Sequence, residues 1–110
     1  MIFSQPFTPK EQIELLQRSI LVNAFAYYEM DRNILADYQY DKNALQLEAL
    51  KNEHPDIFQK SRYYKYFTDF EPGTGFDLVA KVNRSKAMRK KIERDASWAL
   101  KLKEERGHNG

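Results

Sequence analysis

The chain has 110 residues, no cysteine, 42% hydrophobic residues and a formal net charge of +2. That length suits one domain with a modest core, and the lack of cysteine excludes a disulfide framework and thiolate metal sites. No apolar run approaches the roughly 20 residues of a spanning helix, and the start, MIFSQPFTPKEQ, lacks the basic-then-apolar layout of a signal peptide, so a cytoplasmic protein without a membrane segment is expected.

Residues 1–7 read as an extended segment that folds back on the body, because Ile2, Phe3 and Phe7 alternate with polar residues and Pro6. Thr8-Pro9-Lys10-Glu11 then opens a helix. Thr8 is a natural N-cap, Pro9 takes the first helical position where an N–H is not needed, and Glu11 completes a capping box. Ile13, Leu16, Ile20, Ala24 and Tyr27 recur at helical spacing, and Leu15, Val22 and Phe25 widen the stripe, so the pattern predicts a helix over 9–30.

The turn at 31–36 is short, so a second helix must return antiparallel to the first. Asp37 is its expected N-cap. Tyr40, Ala44, Leu47 and Leu50 form its inner stripe, Leu45 lies at the edge, and His54-Pro55 stops it. Residues 56–83 begin with a helical turn at Ile57-Phe58 and continue into an aromatic run of Tyr64, Tyr66, Phe67 and Phe70. Glu71-Pro72-Gly73-Thr74-Gly75 is a turn by composition. Two readings remain for 62–80: a small β-hairpin covering the helices, or an irregular aromatic loop.

The last segment is helical. Ser85 caps it, Met88, Ile92, Ala96, Ala99 and Leu102 line one face with Trp98 nearby, and Gly107 ends it. The expected fold is therefore mainly α: an antiparallel helical hairpin plus a C-terminal helix, forming a single domain over 1–106 with a disordered tail at 107–110.

Charge is unevenly placed. Residues 1–83 carry nine Lys/Arg and twelve Asp/Glu, whereas residues 84–110 carry nine and four. Lys86, Arg89, Lys90, Lys91 and Arg94 share a broad helix face, a candidate surface for a protein partner or nucleic acid. The structural alternative is a solvated face whose cations pair with Glu93, Asp95, Glu104 and Glu105. His54 and His108 make no ligand cluster, and no acid–base or nucleophile–base pair stands out, so neither a metal nor enzymatic activity is expected.

The helix junction at 24–55 holds the densest chemistry. Tyr27, Tyr28, Tyr38 and Tyr40 crowd together with Asp31, Asp37 and Asp41. The register Tyr27-Tyr28, Asp31, Asp37, Tyr40-Asp41, Leu47, Leu50 and His54-Pro55 resembles the N-terminal Ia domain of bacterial NAD-dependent DNA ligases. The resemblance implies that Tyr27, Tyr28, Asp37, Tyr40 and Asp41 bind NAD or nicotinamide mononucleotide, with aromatic rings on the nicotinamide and aspartates on its ribose. Departures accompany it: after His-Pro the family's Ser-Pro-Thr reads Ser61-Arg62-Tyr63 here, so a proline is lost. Asn33 and Ala36 stand where the family has prolines, which implies a less rigid turn, and no Lys-x-Asp-Gly nucleophile motif is present. The resemblance also implies a small standalone protein of the phage and mobile-element type. Two functions follow as expectations. One is a non-catalytic nicotinamide-binding domain, able to serve a ligase in trans. The other is an interaction module that inhibits or regulates a host protein such as a nuclease or an NAD-consuming defence enzyme.

Overall fold

The computed structural model describes residues 7–70 and 75–109. Among them, five α-helices run in the order α1 Pro9–Glu29, α2 Asp37–Glu53, α3 Pro55–Gln59, α4 Gly75–Asn83 and α5 Lys86–Asn109, with a 3-10 turn at Tyr64–Tyr66. The expected segment at 1–6 and the turn residues 71–74 lie outside the described part.

The start of α1 follows from its first four residues. The Glu11 N–H donates to Thr8 Oγ1 at 3.2 Å, and the Thr8 N–H donates to Glu11 Oε1 at 3.0 Å. These two bonds satisfy orphan amides that the helix itself leaves open. Hydrogen bonding of the Glu11 carboxyl to the Thr8 backbone N–H, and secondarily to the Thr8 hydroxyl, holds that carboxyl below its usual range. At the other end, the chain reverses through Asp31, whose φ of 53° is left-handed, and the Arg32 N–H reaches back to the Ala26 carbonyl at 3.0 Å.

Helix α1 is the axis of the molecule and packs against α2, α3, α4 and α5. Ile13, Leu16, Ile20, Leu21, Val22, Ala24, Phe25 and Ala26 are all buried, which is more than a single amphipathic stripe. Such a helix must be covered on several sides. Ala44, Leu47 and Leu50 of α2 cover one side. Leu78, Val79 and Val82 of α4 and Ile92, Ala96 and Leu100 of α5 cover others.

The β-hairpin, one of the two readings for 62–80, is not found, and no strand occurs among the described residues. Two physical reasons account for this. First, residues 61–70 wind through successive tight turns, with Tyr66 N–H to the Tyr63 carbonyl at 3.0 Å and Phe67 N–H to the Tyr64 carbonyl at 2.8 Å. This places Tyr63, Tyr66, Phe67 and Phe70 in the core. Second, Gly75, Leu78, Val79 and Val82 recur at helical spacing and are buried together, a period a strand cannot present to one face.

Ser85 caps α5 as expected, accepting the Met88 N–H at 3.2 Å. The helix continues to Asn109, past the Gly107 expected to end it. Glycine disfavours a helix interior by about 1 kcal/mol relative to alanine without forbidding it. Among the described residues, no helix is long and apolar enough to cross a membrane, and no group of His, Asp and Glu is placed to hold a metal.

Candidate functional site

The α1–α2 corner encloses a cavity of about 290 Å³. All five residues singled out from the sequence, Tyr27, Tyr28, Asp37, Tyr40 and Asp41, line it. Tyr27 and Tyr28 lie on the last turn of α1, and their rings meet edge-on with centroids 4.8 Å apart. Asp37, Tyr40 and Asp41 face them from the first turns of α2. The small residues Ala24 and Gly75 also line it.

Asp37 does not cap α2. The cap position is Ala36, in extended conformation, and no side chain bonds the first-turn amides there. Asp37 is the first helical residue, where the helix dipole favours negative charge. Its exposed carboxyl group is therefore not consumed by a capping bond.

Tyr40 is half-buried, and its phenol is pushed up to about 12 by burial, with smaller contributions from Tyr28 and Asp41. It keeps its proton across the neutral range and can both donate and accept a hydrogen bond. The cavity thus combines aromatic faces, a neutral hydroxyl and two carboxyl groups, with no Lys or Arg among its described lining residues. That donor set suits a flat cationic ring joined to a group rich in hydroxyls.

Several wall residues were not foreseen from the sequence. Asn23 is buried inside α1; its amide nitrogen donates to the Ser19 carbonyl at 2.7 Å and its oxygen accepts the Leu35 N–H at 3.2 Å. Its signal was a lone amide within the apolar run Leu21–Ala26. Asn33, Ile34 and Leu35 supply the turn side of the cavity, and Gly75 supplies a wall from α4. The turn is braced from α5 as well, by an Arg32–Glu104 ion pair and by Lys103 Nζ donating to the Asn33 carbonyl at 2.6 Å.

The expected basic face is only partly assembled. Lys86, Lys90 and Arg94 are exposed and make no ion pair or hydrogen bond among the described residues. Lys91 instead donates to the Tyr63 hydroxyl at 3.1 Å, and the Arg89 guanidinium lies 5.8 Å over the Phe25 ring. The expected local pairing is also partial, since Asp95 pairs with Arg18 of α1 and Glu104 with Arg32. Trp98 on α5 is 63% exposed.

Residues 6–67 match the family described as DNA ligase-like, N-terminal NAD+-binding domain. The chain is 39% identical over 49 residues to a DNA ligase of Alkalilimnicola ehrlichii, covering 44% of this chain and 7% of that ligase. It is 40% identical over 50 residues to a DNA ligase of Stenotrophomonas maltophilia strain K279a, covering 46% of this chain and 6% of the ligase. With the DNA ligase of Bacillus subtilis strain 168 it shares 36% identity over 50 residues, 46% of this chain and 8% of the ligase. The chain thus spans 6–8% of the length of these relatives, and what matches is the non-catalytic N-terminal domain. No solved structure matches. With a match over more than half its length, the chain belongs to the family of DNA ligase-like, N-terminal NAD+-binding domains.

Proposed function

We propose that this domain binds the nicotinamide–ribose part of NAD+ or nicotinamide mononucleotide in the α1–α2 cavity, in the cytoplasm and without catalysing a reaction itself. One observation carries the reading: Tyr27, Tyr28, Asp37, Tyr40 and Asp41 converge on a single cavity that has no cationic side chain among its described lining residues. The nicotinamide ring of NAD+ is cationic, so a tyrosine face attracts it by about 0.5–2 kcal/mol. The ribose hydroxyls are donors that Asp37 and Asp41 can accept. Calorimetric titration with nicotinamide mononucleotide tests this. The reading expects saturable binding that Asp37→Asn weakens at least several-fold, and no heat at millimolar ligand overturns it.

A second reading is favoured by α5. Exposed Trp98 stands on the same helix as Lys86, Lys90, Arg94 and Lys101, none of which makes an ion pair or hydrogen bond among the described residues. Tryptophan is enriched at protein interfaces, and a basic face attracts an acidic one by complementary potential. In this reading the domain is an interaction module of mobile-element origin that regulates a host protein with an acidic surface. Capture from host lysate by the wild type, lost on Lys90→Glu with Arg94→Glu, supports it; capture unchanged by those reversals removes α5 from it.

A further inference from the structure

The Phe76 ring is 66% exposed, at the start of α4 and outside the family segment 6–67. It does not line the cavity itself but packs on Tyr28, which does. Its ring meets Tyr28 edge-on, with centroids 5.7 Å apart and planes 79° apart. The preceding residue explains how α4 comes so close. At Gly75 a Cβ would stand 2.9 Å from the Tyr40 hydroxyl and 3.2 Å from the Tyr28 ring. A side chain at 75 would push both rings aside, so glycine lets the backbone lie close to them with Phe76 next in the chain. Tyr27, Tyr28 and Phe76 therefore form a run of exposed rings next to the cavity.

Size and charge say what such a rim can take. A cavity of about 290 Å³ lies at the lower end of small-ligand sites, which run from about 300 to 1,000 Å³. It has room for one half of a dinucleotide. Its described lining includes Asp37 and Asp41 and no Lys or Arg, so a phosphate is driven outward while a cationic ring is drawn in. The second half of a dinucleotide then leaves the cavity at its rim. There Phe76 offers a largely exposed aromatic ring, and bases stack on such rings regardless of their hydrogen-bonding pattern.

We propose that Phe76 is a stacking subsite for the adenine of NAD+, so that the domain takes the whole dinucleotide with its nicotinamide half in the cavity. The proposal rests on the cavity reading above and adds the ligand's second contact. Calorimetry with NAD+ and with nicotinamide mononucleotide, on the wild type and on Phe76→Ala, tests it. The wild type should bind NAD+ about tenfold more tightly than the mononucleotide. Phe76→Ala should lose that tenfold difference, leave mononucleotide affinity unchanged and unfold at the same temperature, while Phe76→Trp should keep the difference. Equal wild-type affinity for the two ligands overturns the subsite alone, as does an equal effect of Phe76→Ala on both. Wild-type protein that binds neither ligand overturns the cavity reading, and the subsite with it.

Discussion

The Asn23 side-chain oxygen accepts the Leu35 N–H at 3.2 Å, tying the middle of α1 to the turn that precedes α2. The turn has Asn33 and Ala36 where the resemblance led us to expect prolines, so its own sequence does little to fix it. A buried side chain supplies the constraint from outside. Because Asn23, Asn33, Ile34 and Leu35 all line the cavity, this bond shapes the candidate site as well as the hairpin.

Asn23→Ala should therefore act twice. It strands the Leu35 N–H in a half-buried position, which costs about 1–2 kcal/mol. It also frees the turn wall, so mononucleotide affinity should fall by more than the stability loss explains. Urea unfolding and calorimetry on the same preparation read both effects.

Gln17 makes the opposite case. It is buried, its amide nitrogen donates to Ser61 Oγ at 2.8 Å, and its carbonyl oxygen has no partner among the described residues. Ser61 in turn donates to the Phe58 carbonyl. Gln17→Met removes the unpaired oxygen and leaves Ser61 with that acceptor. Stability should hold or rise by up to about 1 kcal/mol, seen as a higher unfolding temperature. A clear fall would show that the Gln17–Ser61 bond outweighs the orphaned carbonyl.

The raised Tyr40 phenol sets an alkaline limit. Its folded value is about 12 against an ordinary 10, so the folded protein retains a proton that the unfolded chain gives up. Stability from this group is complete below pH 10 and is lost as pH rises from 10 through 12. Tyr40→Phe should flatten that decline relative to the wild type. Unfolding curves at matched alkaline pH check the slope, and tyrosinate absorbance should show Tyr40 ionising late.

The Thr8–Glu11 capping box predicts an acid effect. Thr8→Ala removes an N-cap worth about 1 kcal/mol. The Glu11 carboxyl is held low by its bonds to Thr8, so its share of stability is present above its usual value of 4.5 and is lost as pH falls. Thr8→Ala should therefore unfold with a weaker acid dependence than the wild type in that range.

The helical hairpin was legible because its signals are local. Thr8, Pro9 and Glu11 mark one start, His54-Pro55 marks one end, and the stripes between them have helical period. Helix α4 was missed because its nine residues follow a Pro-Gly turn and an aromatic run, both of which suit strands. The spacing of Gly75, Leu78, Val79 and Val82 was the available signal. Asp37 was misplaced by one residue because aspartate is among the best N-caps, and here extended Ala36 takes that position without a side-chain bond. The five cavity residues were legible only through their register. Their convergence with Asn23 and Gly75 depends on packing between elements far apart in the chain, which no local pattern encodes.

The central claim is that a nicotinamide group enters the α1–α2 cavity. Amide NMR spectra recorded during titration with nicotinamide mononucleotide test it most directly. The account predicts saturable shifts at Asn23, Tyr27, Tyr28, Asp37, Tyr40, Asp41 and Gly75, with α5 beyond the turn brace unaffected. Spectra that stay unchanged at millimolar ligand, or shifts confined to Lys86–Lys101, would contradict it.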